Sequence, residues 1–378
     1  MTLSPQELER YARHITLGQV GVEGQERLKA SKVLCIGSGG LGSPVTMYLA
    51  AAGVGQLRIV DADIVDRSNL QRQILHGESD IGARKIDSAR KTLLDINPHL
   101  VLDCHDTLFR ADNAMELAQG VDLIIDGTDN FPTRYLSNDV AFFLRVPNIY
   151  GSIYQFEGQV SVFAPHEGGP CYRCLFPTPP KPGLVPSCAE GGVFGVLPGM
   201  VGAMQATEAI KRLLGIGKSL VGRLLHVDTM SMRVRTFDLR KDPECPLCGE
   251  NPTVTELIDY EAFCGLPSEE EEASVPEVTA TELAELLKDE STLLIDVREE
   301  FERAICRIEG AEWIRLAELP DQLGALPRDR RLIFHCKSGV RSEDALRQAQ
   351  AAGFEDVAHL AGGILSWREL VAPGMAAY

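Results

Sequence analysis

Over the first 265 residues, short apolar runs alternate with stretches of helical spacing. Lys32–Gly37 (KVLCIG) is apolar at consecutive positions, the pattern of a strand buried on both faces. It runs into a glycine-rich turn and then a helical stretch from Leu41 to about Ala52. Leu57–Asp63 (LRIVDAD) predicts the next strand, Ala83–Leu94 a helix, and Asp122–Asn130 (DLIIDGTDN) a third strand ending in polar residues. The alternation predicts an α/β fold, a Rossmann-like and mostly parallel sheet with helices on both faces. From Gly158 the runs shorten between Gly/Pro-rich loops, with one further helix expected around Ala203–Leu214. No internal repeat is visible.

The pattern breaks at 266–276 (LPSEEEEASVP), where four consecutive glutamates repel one another and offer no apolar area to bury. This acidic linker separates a first domain, 1–265, from a second, 277–378. The second is a small α/β unit: Thr292–Glu299 (TLLIDVRE) and Arg331–Cys336 (RLIFHC) read as strands, a helix follows from about Ser342, and Val357–Gly363 (VAHLAGG) closes the unit.

Composition narrows the class. At 44% hydrophobic and 24% charged residues the chain is an ordinary globular one, and 378 residues suffice for two cores. A formal charge of −17 speaks against a nucleic-acid partner, since such affinity rests on Lys and Arg. The polar start (MTLSPQELERYARHITL) lacks a signal-peptide core, and no apolar stretch is long enough to span a bilayer. A cytoplasmic protein with no membrane partner is expected. Without an export signal, the ten cysteines read as metal ligands, nucleophiles or core residues rather than as disulfides.

Gly37-Ser-Gly39-Gly40-Leu-Gly42 fits G-x-G-x-x-G between strand and helix. Glycines are needed where backbone amides approach a phosphate closely, and the helix N-terminus adds a field favourable to an anion. Asp61, 19 positions beyond Gly42, stands at a strand end where a carboxylate can take ribose hydroxyls, with Asp63 beside it. The turn alone serves NAD as well as ATP. The cations that follow, Arg72 in Ser68-Asn69-Leu-Gln-Arg72-Gln and then Lys85, favour ATP, because displacing pyrophosphate builds charge that fixed Arg, Lys and Mg²⁺ stabilise. The plain alternative makes Arg72 and Lys85 surface charges. Asp129 and Asn130 can hold the metal or the adenosine, or can simply cap the next helix.

Two C-x-x-C hooks, Cys171/Cys174 and Cys245/Cys248, together supply four thiolates for a tetrahedral Zn²⁺ site. Such a closed site is structural. A redox role is the rival, though redox motifs normally occur singly. Cys188 lies in a Pro/Gly-rich loop (VPSCAEGG), where an accessible thiol can act as a nucleophile, whereas Cys35, Cys104 and Cys264 read as structural. In Phe334–Ser342 (FHCKSGVRS), Cys336 opens a tight loop between strand and helix, with backbone amides, a helix end, Lys337 and Arg341 all favouring a thiolate or persulfide anion.

These motifs converge on a resemblance. Residues 1 to about 250 resemble the MoeB/ThiF adenylyltransferases, relatives of ubiquitin-activating enzymes. From about 277 to 373 the chain is similar to rhodanese domains, through Asp296-Val-Arg-Glu299, Ile308-Glu-Gly-Ala311, the Cys336 loop and Gly362-Gly363. The resemblance implies ATP at Gly37, Gly39, Gly40, Gly42, Asp61, Asp63, Ser68, Asn69, Arg72, Lys85, Asp129 and Asn130. It also implies a homodimer in which Arg13 reaches the partner's ATP, zinc on the four paired cysteines, a covalent carrier intermediate at Cys188 and a persulfide at Cys336. Arg307 departs from the pattern, since rhodaneses commonly carry His there.

The implied chemistry is adenylation of the C-terminal Gly-Gly carboxylate of a ubiquitin-like sulfur carrier, then sulfur transfer from Cys336, recharged by a donor such as a cysteine desulfurase. Whether Cys188 forms a thioester or resolves an acyl disulfide stays open. The alternatives are an NAD-dependent oxidoreductase with a regulatory rhodanese domain, and a non-enzymatic docking scaffold.

Overall fold

The computed structural model describes residues 2–180, 191–265, 275–289 and 291–376. Two compact units divide near residue 266. In the first, eight strands form one sheet: β1 (Lys32–Ile36), β2 (Gln56–Val60), β3 (Val101–His105), β4 (Leu123–Asp126), β5 (Asn148–Tyr154), β6 (Glu157–Phe163), β7 (Arg223–Asp228) and β8 (Arg233–Asp238). Their order is β3-β2-β1-β4-β5-β6-β7-β8. The first five are parallel, while β6 to β8 run antiparallel.

The apolar run of β1 is explained by burial on both faces. Val33 and Cys35 join one core beneath the helices Gly42–Ala52 and Leu197–Leu214, while Leu34 and Ile36 join another beneath Phe131–Leu144. The helix expected near Ala203 begins six residues earlier, at Leu197, because Pro198 is well placed in a first turn. Strand order reverses between β2 and β4 on either side of β1. The glycine turn after β1 therefore opens at the carboxyl ends of the strands, at the switch point where open α/β sheets bind ligands.

The second unit holds a parallel five-stranded sheet of β9 (Glu277–Val278), β10 (Thr292–Asp296), β11 (Glu312–Trp313), β12 (Arg331–His335) and β13 (Val357–Leu360), in the order β11-β10-β12-β13-β9. Leu293, Ile295, Leu332 and Phe334 face one core with the helix Val340–Ala351. Leu294, Ile333 and Leu360 face the other with Gly363–Leu370. Among the described residues no helix is long and apolar enough to cross a membrane.

Candidate functional site

The glycine turn is held from several sides. Gly37 has φ +87°, open to glycine at little cost, and a Cβ on Gly42 would lie 2.0 Å from the Gly37 carbonyl oxygen. The helix beginning at Gly42 has no side-chain cap at Leu41, so the N-terminal field faces the turn uncapped by any side chain. Asp61 reaches back to this turn: its Oδ2 accepts from the Ser38 amide at 2.7 Å and the Ser38 hydroxyl at 2.8 Å, and its Oδ1 accepts from the Asp63 amide. The carboxylate expected at the ribose thus also braces the turn.

Lys85 is no surface charge. Its side chain is 6% exposed and its Nζ lies 2.8 Å from Asp63 Oδ2, with that carboxylate mostly in solvent. Arg72 is half-buried beside Gly40 and donates to the Ser68 carbonyl. Asn69 accepts the Asp66 amide within a short 3₁₀ turn, Arg67–Asn69. Asp129 is exposed, and Asn130 caps the helix Phe131–Leu144 through the Thr133 amide, the plain alternative weighed for it. Arg13 is exposed on the short helix Ala12–Ile15.

Several residues here escaped sequence reasoning. Asp126 ends β4 fully buried, accepting from Thr128 and Ser137; burial raises its carboxyl, partly offset by the Arg134 charge. An acid closing the apolar run Leu123–Ile125 was the available signal. His76 is buried behind the turn, its Nε2 3.1 Å from the Ser38 carbonyl and its Nδ1 2.9 Å from Ser88 Oγ. Cys35 is inert by position: burial first, then the Asp126 and Asp61 charges, push its thiol up to about 12.

The two hooks meet although 74 positions separate Cys171 from Cys245. Sγ separations are 3.8 Å for Cys171–Cys174, 3.5 Å for Cys171–Cys245 and 3.4 Å for Cys174–Cys248, all four atoms lying within 4.8 Å of one another. Zn–S bonds of about 2.3 Å in a tetrahedron place sulfurs about 3.8 Å apart, so the cluster fits that ion. Between the first two cysteines, Arg173 is buried against Asp139, its guanidinium packed 4.9 Å from the Tyr135 ring centroid and 4.7 Å from that of Phe263. Cys188 lies outside the described residues.

In the second unit Cys336 follows β12 and is buried at the base of its loop. Its Sγ accepts from the Gly339 amide at 3.2 Å, with the Ser342 hydroxyl at 3.5 Å. Arg341 forks onto Glu302 with two 2.7 Å contacts, so much of the positive charge expected from it at the loop is neutralised. Asp296 takes Arg298 at 2.8 Å through both oxygens; burial would raise this carboxyl, but the Arg298 bond and the neighbouring cationic groups outweigh it and hold it low. Gly362 and Gly363 have φ +68° and +57°, and a Cβ on Gly363 would lie 2.4 Å from the Lys337 carbonyl oxygen. The helix they open sends the Ile364 amide to the Cys336 carbonyl at 2.9 Å. Arg307 is exposed.

Together these features define a Rossmann-like unit built for an anionic ligand and stapled by a thiol cluster, followed by a unit that presents one thiol at the base of a loop. The ThiF family model matches residues 11–247 and the rhodanese-like domain model residues 279–370. The chain belongs to the ThiF family and also carries a rhodanese-like domain. A Mycobacterium tuberculosis protein named probable adenylyltransferase/sulfurtransferase MoeZ is 48% identical over 100% of this chain and 96% of its own. A Thermus thermophilus sulfur carrier protein adenylyltransferase is 52% identical over 70% of this chain and all of its own. Among solved structures, Escherichia coli MccB with ATP shares the fold at TM-score 0.56 and 22% identity, covering 65% of this chain and 75% of that one.

Proposed function

We propose that the chain adenylates the C-terminal glycine of a ubiquitin-like sulfur carrier with ATP and then converts it to a thiocarboxylate with sulfur from Cys336. The observation that carries the reading is a single chain that joins a braced glycine turn, flanked by Lys85 and Arg72, to a thiol that accepts the Gly339 amide at the base of its loop. An oxidoreductase needs neither the cations nor the thiol, and no relative supports that alternative.

A carrier carboxylate oxygen attacks the α-phosphorus of ATP and pyrophosphate leaves, giving an acyl-adenylate. Gly37, Gly39, Gly40 and Gly42 give the phosphates close backbone approach; Arg72, Lys85 and a partner subunit's Arg13 offset the charge that develops. Asp61 keeps acceptor capacity on Oδ1 for a ribose hydroxyl, beside the turn it braces. Ser68 and Asn69, in the short turn that leads to Arg72, are the further residues proposed to contact the nucleotide. Asp63, Asp129 and Asn130 are the residues that would hold Mg²⁺, which when bound neutralises phosphate charge. The outer sulfur of a Cys336 persulfide attacks the acyl carbon and AMP leaves, giving an acyl disulfide; a second thiolate, for which Cys188 is the candidate, then attacks the Cys336 sulfur, freeing the thiocarboxylate and leaving a disulfide that an external thiol reductant reopens. Cys171, Cys174, Cys245 and Cys248 would hold Zn²⁺ as a structural tie. A cysteine desulfurase is the proposed source of the persulfide, and the cytoplasm the proposed compartment.

Carrier-dependent exchange of pyrophosphate into ATP tests the first half. No exchange with any small carrier ending in Gly-Gly would defeat it.

A further inference from the structure

The hydrogen bonds behind the glycine turn contain a proton-counting problem. His76 Nε2 faces the Ser38 carbonyl at 3.1 Å and Nδ1 faces Ser88 Oγ at 2.9 Å. Ser88 Oγ lies 3.0 Å from Asp80 Oδ2, and Asp80 in turn holds Lys91 at 2.9 Å and the Gly77 amide. A carbonyl and a carboxylate only accept, and a hydroxyl has one hydrogen to give. If neutral His76 carries its proton on Nδ1, the Nε2 lone pair points at the Ser38 carbonyl oxygen. If the proton sits on Nε2, Nδ1 needs the one hydrogen of Ser88, and Ser88 then faces the Asp80 carboxylate lone pair to lone pair. Either neutral form leaves one buried contact repulsive, which is costly where water cannot replace it. Only the imidazolium completes the chain, with Nε2–H to Ser38, Nδ1–H to Ser88, and Ser88 O–H to Asp80.

We propose that His76 is a positioning residue of the glycine turn, taking a proton from solvent when nucleotide binds and so locking Ser38 through the His76–Ser88–Asp80 chain. The proposal rests on the nucleotide reading of the turn given above. The groups facing His76 set the balance. Burial, and then the Lys85 charge, draw the imidazole below its ordinary value, while the Ser38 carbonyl, Asp61 and Asp80 pull it up. In the free protein the first set holds it neutral at pH 7, with the chain incomplete. A polyphosphate on the outer side of the turn adds negative charge and offsets Lys85, which tips the balance to the cation. Ser38 is bound twice by Asp61 on one side and by His76 on the other, so the proton tightens the segment that the phosphates touch.

The test is the number of protons taken up as ATP binds without carrier, measured by titration calorimetry at pH 7 in buffers of different ionisation enthalpy. Wild type is expected to take up close to one proton more than His76→Gln, ATP's own protonation being common to both. Affinity for ATP should weaken by up to about tenfold per pH unit above pH 7 in wild type and stay flatter in the variant. Equal proton uptake in the two proteins would overturn the inference while leaving nucleotide binding standing. No binding of ATP to either would defeat both readings. Histidine-labelled wild type, which needs no substitution, supplies the second measurement: one imidazole should pass from neutral to charged by NMR on adding ATP, and no such change would overturn the proposal.

Discussion

Arg173→Met offers a quantitative test of how the thiol cluster is tied to the helix Phe131–Leu144. Arg173 and Asp139 are 1% and 0% exposed and meet through Nε–Oδ1 at 3.0 Å and Nη2–Oδ2 at 2.8 Å. Asp139 also accepts from the Tyr260 hydroxyl at 2.8 Å and from Asn138 Nδ2 at 3.0 Å. Methionine fills much of the volume but leaves a buried carboxylate without its cation, a loss of about 3–5 kcal/mol. For a unit of this size about 1 kcal/mol moves the midpoint by about 2 °C, so the first unit should melt about 6–10 °C lower by scanning calorimetry. Arg173→Met combined with Asp139→Leu should recover at least about 2 kcal/mol, because two matched apolar groups replace an orphaned charge. The recovery stays incomplete, since the Tyr260 hydroxyl and Asn138 amide lose their acceptor. A double variant as unstable as the sum of the two single ones would refute the reasoning, as would a single variant within about 1 kcal/mol of wild type.

Three further outcomes follow from the geometry. Gly42→Ala puts a methyl 2.0 Å from the Gly37 carbonyl oxygen, an overlap with backbone that costs about 1–3 kcal/mol; ATP binding should weaken tenfold or more by calorimetry while sulfur transfer from Cys336 to cyanide persists. Gly363→Ala should do the reverse, displacing the Lys337 carbonyl and cutting cyanide-dependent sulfur transfer at least tenfold with pyrophosphate exchange unchanged. Glu7 is held at about 2: burial alone would raise it, but Lys29 and the Ser4 bonds outweigh that. Its folded value lies below the unfolded one, so the stability it supplies is present above about pH 4.5 and is lost as pH falls toward 2. Unfolding free energies of wild type and Glu7→Gln from denaturant titration should therefore converge on acidification by about 2–3 kcal/mol, and parallel curves would refute the assignment.

How much of this was legible in the sequence depended on whether a signal was local. Lys32–Gly37 read as a strand because both its faces are buried, and the glycine turn read as a phosphate cradle because only glycine fits a 2.0 Å approach. The C-x-x-C hooks carried their own pairing rule, which is why segments 74 positions apart were joined correctly. His76, Ser88 and Asp80 gave no such signal, since none follows a spacing rule and their meaning comes from a bond to a carbonyl 38 positions away. The ion pair of Arg341 was out of reach for the same reason. Its charge is plain in the sequence, but Glu302, which meets it 39 positions upstream, is not. Asn130 was visible with both readings, and its capping bond to Thr133 shows that the plainer one holds at least in part.

The coupling of the two units in one reaction is most directly tested by mass spectrometry of a Gly-Gly carrier incubated with the full chain, ATP, Mg²⁺ and a persulfide donor. Wild type should replace one carrier oxygen with sulfur, and Cys336→Ser should form the acyl-adenylate yet yield no thiocarboxylate. Thiocarboxylate appearing at the wild-type rate from Cys336→Ser would contradict the account.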